Sequence, residues 1–128
     1  MATQIVIGNG SYIKLDDEFH IDWADKGNSM PALPSTLHAM IWNDLPGQNE
    51  IQNKNDSTGN MTGNTDLNST SDAVGSTTVA ALLTWGETRK GQIEAAQTAF
   101  ENAVASDIAN GTTNADGKTW VDYDSNHS

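Results

Sequence analysis

Apolar residues are unevenly spread along this chain, and their distribution limits what it can fold into. They concentrate before Trp42 and again between Val79 and Val104. Between Gly47 and Ser76 only Ile51, Met61, Leu67, Ala73 and Val74 interrupt a run rich in Asn, Ser, Thr, Gly and Asp. A segment of that composition cannot bury enough apolar surface to offset its own ordering entropy. A chain of 128 residues has room for one core, so the two outer blocks must build it together. Residues 53–76 then read as a polar linker or arm, mobile alone and ordered against something larger.

The first block reads as β. Gln4–Ile7 and Ser11–Leu15 flank Gly8-Asn9-Gly10, and Asn-Gly between apolar runs favours a hairpin because both residues tolerate positive φ. Phe19, Ile21 and Trp23 alternate with His20 and Asp22, which predicts a third strand. Pro31 and Pro34 make residues 24–36 a structured loop. Leu37–Trp42 predicts a fourth strand and Glu50–Gln52 a short fifth.

The second block predicts a helix. Thr77 or Thr78 can cap it, and Val79, Leu82, Leu83, Ile93, Ala96, Phe100, Ala103 and Val104 follow at helical steps. Gly86 and Gly91 each weaken it by about 1 kcal/mol relative to alanine. The expectation is one kinked helix or two helices broken near Gly86, stopping at Asn110-Gly111. Thr119–Tyr123 reads as an added strand or a docking peptide. The expected class is α+β: a small N-terminal antiparallel β-sheet, a polar Asn/Thr/Ser-rich arm and a C-terminal helix. The expected organisation is a β domain at 1–52, the arm at 53–76, a helical region at 77–110 packing on the sheet or on copies of itself, and a polar tail at 111–128.

Charge and composition exclude several function classes. Seventeen acidic residues against six basic ones give a net charge of −11, a surface that repels phosphate backbones and anionic lipid. No nucleic-acid partner is expected. No apolar run approaches the roughly 20 residues of a membrane span, so no membrane partner is expected. Residues 1–5 carry no basic start followed by an apolar stretch, so no secretory signal is expected. The chain has no cysteine, hence no disulfide, thiolate metal site or thiol nucleophile.

The remaining reactive residues are scattered. His20 and His38 would need neighbouring strands and a third ligand, such as Asp17 or Asp22, to hold a metal; solvent-facing histidines are the expectation. Asp16, Asp17, Glu18 and Asp22 read as a charged turn. Asp122, Asp124 and Asn126 have the spacing of a calcium loop's first ligands without its glycine or distal glutamate, so a frayed tail is expected. No nucleophile-elbow, phosphate-loop or dinucleotide motif occurs. Neither an enzyme nor a cofactor is expected. Of Trp23, Trp42, Trp85 and Trp120, the last is the best anchor into a partner. The interface candidates are therefore Trp120, Val121 and Tyr123 in the tail, with Ile93 and Phe100 on the helix stripe.

Residues 11–53 carry a resemblance. Ser11–Asp17, His20-Ile21-Asp22, Leu33–Asn43 (including Leu33-Pro34, Leu37-His38-Ala39 and Trp42) and Glu50-Ile51 are similar to small proteins of tailed bacteriophages. Those proteins share a short β region, a Leu-Pro step, a Leu-His-Ala run and a Trp one strand-length later, and are often encoded close to tail and tail-fibre genes. This chain departs from them in its Asn-rich insertion at 53–76. The resemblance implies a virion protein of the tail region, non-enzymatic, that contacts other phage structural proteins and forms a homo-oligomer; it assigns no catalytic residue. A capsid decoration or cement protein is the alternative, or a small carbohydrate (receptor)-binding module with Trp23, Trp42 or Trp120 as a stacking surface.

Overall fold

A computed structural model describes residues 4–16 and 18–127. Residues 1–3, Asp17 of the acidic turn and Ser128 of the tail lie outside the described residues. Six strands, β1 (Ile5–Gly8), β2 (Tyr12–Leu15), β3 (His20–Asp22), β4 (Leu37–Trp42), β5 (Glu50–Lys54) and β6 (Met61–Asp66), form one antiparallel sheet in the order β3-β2-β1-β4-β5-β6. A two-stranded ladder of β7 (Ala73–Val74) and β8 (Thr77–Thr78) leads into a single helix, α1 (Val79–Asn110). The class is α+β, as the sequence predicts.

Period-two alternation turns Ile5, Ile7, Ile13, Leu15, Ile21, Met40, Trp42 and Ile51 to one face of the sheet, where they are buried. From α1, Val79, Leu82, Leu83, Trp85 and Ile93 cover them. Full burial of each such side chain contributes about 1.5–3 kcal/mol. The expected break near Gly86 is absent. A Cβ on that residue would lie 3.0 Å from Leu15 Cδ2 and 3.4 Å from Ile5 Cδ1. The glycine seats the helix against β1 and β2 rather than ending it. Thr78 caps α1 by accepting from the Ala81 amide at 3.2 Å. Gly111, at φ 64°, ends it in the left-handed conformation with its amide donating to the Asp107 carbonyl.

Part of the polar segment at 53–76 supplies the last strand of the sheet. β6 pairs with β5 in the register Glu50↔Asp66, Ile51↔Thr65, Gln52↔Asn64 and Asn53↔Gly63, and all six of its residues are exposed. Its order comes from backbone pairing and polar side chains instead of apolar burial. Asn55 Oδ1 accepts from the Ser57 and Thr58 amides, both at 2.9 Å, and closes the turn. Asn53 Nδ2 donates to Thr65 Oγ1 at 3.0 Å, and Asn64 Nδ2 to Glu50 Oε2 at 3.0 Å. Leu67 and Val74 then return the chain to the core.

Candidate functional site

Three distant segments meet at Arg89. It lies near the middle of α1, and its side chain is fully buried. All five of its N–H groups find acceptors. Nε and Nη2 donate to the Asp25 carbonyl at 2.9 and 2.8 Å. Nη1 and Nη2 donate to Asp124 Oδ1 and Oδ2 at 3.2 and 2.6 Å, and Nη1 also reaches Gln92 Oε1 at 3.3 Å. Such complete pairing is what a desolvated guanidinium requires. Burial opposes ionisation of Asp124, but the hydrogen bonds from Arg89 and the Asn126 amide, with the Arg89 charge, hold its carboxyl below the ordinary carboxylate range.

The turn after the 3-10 segment Trp23–Asp25 lets the junction close. Gly27 has φ 84°, and a Cβ there would lie 2.7 Å from Arg89 Nε and 2.8 Å from the Asn126 carbonyl oxygen. The Asn28 amide donates to that same carbonyl at 2.9 Å. His127 Nε2 lies 2.8 Å from Asp25 Oδ1, and its ring meets the Trp120 ring edge-on at 6.1 Å.

A second carboxylate fixes the start of the tail. Asp107 accepts from Thr112 Oγ1 at 2.6 Å and from the Asn114 and Ala115 amides at 3.0 and 2.7 Å. The Thr112 bond first, then that of Ala115, lowers its pKa against the opposing effect of burial. These donors offset the unfavourable placement of an acid in a helix's last turn.

The interface candidates are engaged within the chain. Ile93, 3 % exposed, belongs to the core, in keeping with a helix stripe that packs on the sheet. Phe100 packs on Tyr123 with ring centroids 5.8 Å apart. Trp120 is half-buried against the core, and Val121 and Tyr123 are half-buried. Trp120–Tyr123 forms a 3-10 turn in which the Thr119 amide donates to Asp122 Oδ2 at 2.9 Å, not a strand. The frayed-tail expectation also fails, because Asp122 caps that turn and Asp124 holds Arg89.

The histidines do not converge. His20 is on β3 and His38 on β4, with β2 and β1 between them. Among the described residues, no group of three His, Cys, Asp or Glu side chains could hold a metal ion. Trp42 and Trp85 are buried and Trp23 and Trp120 half-buried, which removes Trp42 from any stacking surface. Among the described residues, Tyr12 is the exposed one of the Phe, Trp and Tyr side chains, at 44 %. Its ring lies across Gly8, where a Cβ would come within 3.1 Å of Tyr12 Cε1, and His20 meets it edge-on at 6.5 Å. Asp22 is its cross-strand partner. Tyr12, Lys14, His20 and Asp22 line a shallow hollow on the sheet's outer side.

Arg89 is the residue that sequence reasoning missed. The signal was present: Leu82, Arg89, Ile93 and Ala96 share one helical face, and a charge inside an apolar stripe demands a buried counter-charge. No protein-family model, curated protein or solved structure matches this chain.

Proposed function

We propose that this chain is a non-enzymatic structural protein of a tailed-bacteriophage virion, associated with the tail or tail fibre, acting through contacts with other virion proteins and with copies of itself. The observation that carries this reading is how its surfaces divide. The inner side of the sheet and the face of α1 that carries Leu82, Arg89 and Ile93 are closed, and the two carboxylates with lowered pKa, Asp107 and Asp124, are committed to holding the tail. The outer side of the sheet, the whole of β6 and Ile108, 80 % exposed, are left to solvent. A fold that ties Asp124 to Arg89 and presents bare strand and helix surfaces suits a part of a larger body.

Immunogold labelling of particles encoded with this chain tests the reading. Label at the tail or its fibres is expected. Label over the capsid lattice supports the decoration alternative, and its absence from particles overturns the virion role.

Tyr12 favours a second reading, the carbohydrate module. A pyranose ring stacks on an exposed aromatic face, and Asp22, His20 and Lys14 can bond its hydroxyls. Loss of glycan binding in Tyr12→Ala is the discriminating result.

A further inference from the structure

β6 ends the sheet, and its register identifies which backbone groups remain open. The Lys54 amide donates to the Thr36 carbonyl, so residues 50, 52 and 54 turn their backbone groups toward β4. The Asn49 carbonyl accepts from the Leu67 amide, so residues 49, 51 and 53 turn theirs toward β6. Alternation then makes Ile51↔Thr65 and Asn53↔Gly63 the hydrogen-bonded pairs. The N–H and C=O groups of Asn64 and Asp66 point off the sheet. Upstream, a register shift between Asn53 and Lys54 skips Thr62 and breaks the row. The open stretch is therefore Asn64–Asp66, and neither proline nor lysine guards it.

We propose that a second copy of this chain pairs here, β6 against β6, antiparallel about a two-fold axis at Thr65. Asn64 of each copy then lies opposite Asp66 of the other, and their backbones exchange four N–H···O=C bonds. On one face an amide meets a carboxylate; on the other, threonine meets threonine. Both are favourable cross-strand pairs. Moving the axis to Asp66 would oppose two carboxylates, and moving it to Asn64 would draw the Thr62 irregularity into the ladder. Charge and register thus select one pairing. β3, the other terminal strand, is a poorer mate, since it has three residues and adjoins Asp16 and Glu18. This inference rests on the assembly reading above and names one of its partners.

Few bonds join the copies, and each copy carries −11. The dimer is therefore weak alone, and its mass by light scattering rises with protein concentration and with salt, which screens the repulsion. The absence of cysteine allows a clean trap. In a non-hydrogen-bonded pair the Cα atoms sit about 4.5 Å apart, within disulfide reach. Thr65→Cys should oxidise to a disulfide dimer at least about tenfold faster than Thr58→Cys in the neighbouring turn, through raised effective concentration. Adding Asn64→Pro, which removes an outward N–H and none of the bonds to β5, should abolish that advantage; Asp66→Pro removes the other outward N–H and serves if the ring at position 64, which also restricts Gly63, lowers the melting temperature. Equal oxidation rates at positions 65 and 58, or an advantage that survives both prolines, would overturn the pairing. A trimer or hexamer without the Thr65 disulfide overturns this register while leaving the assembly reading intact; absence of the protein from particles sinks that reading, and the oxidation rates judge the pairing separately.

Discussion

Arg89 and Asp124 meet side by side, Nη2 to Oδ2 at 2.6 Å, with side chains 0 % and 1 % exposed. The pair joins the middle of the helix to the last residues of the chain, and the Asp25 carbonyl brings the first half of the chain to the same point. The tail is part of the body rather than an appendage.

Breaking one side of this junction should cost far more than replacing both. Arg89→Ala leaves the Asp124 carboxylate buried without its partner and is expected to lose about 3–5 kcal/mol. Arg89→Met combined with Asp124→Leu removes both charges and fills the space, and should recover most of that loss. Urea denaturation of the two variants beside the parent measures it. A double variant as unstable as Arg89→Ala would mean that the Asp25 contacts dominate.

Acid should loosen the same junction. Asp124 and Asp107 both have folded pKa values below their ordinary value of 3.8. A lowered pKa contributes stability above the unfolded value, and that stability is lost as pH falls through the folded value. The melting temperature should stay level from neutral pH to about 5 and drop below about 4, where unfolded carboxylates bind protons first. Asp124→Asn should melt lower at neutral pH and show a shallower acid drop. A parent-like acid slope in that variant would remove Asp124 from the account.

The glycines at positive φ give a graded comparison. Gly10 and Gly27 have φ 85° and 84°, but a Cβ at Gly10 meets nothing within 4 Å while one at Gly27 meets Arg89 and Asn126. Gly10→Ala should cost only the backbone strain, about 1 kcal/mol. Gly27→Ala adds a displaced buried guanidinium and should cost clearly more, with weaker fluorescence contact between Trp120 and its surroundings. Equal melting temperatures would show that the junction tolerates movement.

Much of the fold was legible because it follows from alternation and capping. The pattern of Ile5, Ile7, Ile13, Leu15 and Ile21 announces a half-buried sheet, and Thr78 and Gly111 mark the helix ends. β6 was not legible by the same means, since Met61–Asp66 has no buried face and is held by hydrogen bonds to β5 that leave no hydrophobic signature. The junction was hidden for another reason. Arg89 and Asp124 are 35 positions apart, and nothing local to Asp124 distinguishes a buried counter-ion from a solvated tail residue. Trp120 looked like an anchor for a partner because its neighbours are polar, and nothing in its local sequence announces that it packs, half-buried, against the core of its own chain.

The helix stripe offers the last comparison, three aspartate substitutions on one element. Ile93 is buried in the core, Phe100 is half-buried against Tyr123, and Ile108 is 80 % exposed. Ile93→Asp places a carboxylate in the core beneath the sheet and should unfold the protein. Phe100→Asp removes one aromatic contact at a wetter position and should cost about 1–3 kcal/mol, undocking the tail while the sheet persists. Ile108→Asp should change stability by less than about 0.5 kcal/mol. The order of the three melting temperatures checks this assignment of the helix face. Loss of particle incorporation by Ile108→Asp, with its stability unchanged, would identify the exposed end of α1 as a contact with the rest of the virion. An Ile108→Asp variant that itself unfolds would mean that this end is covered in the free chain.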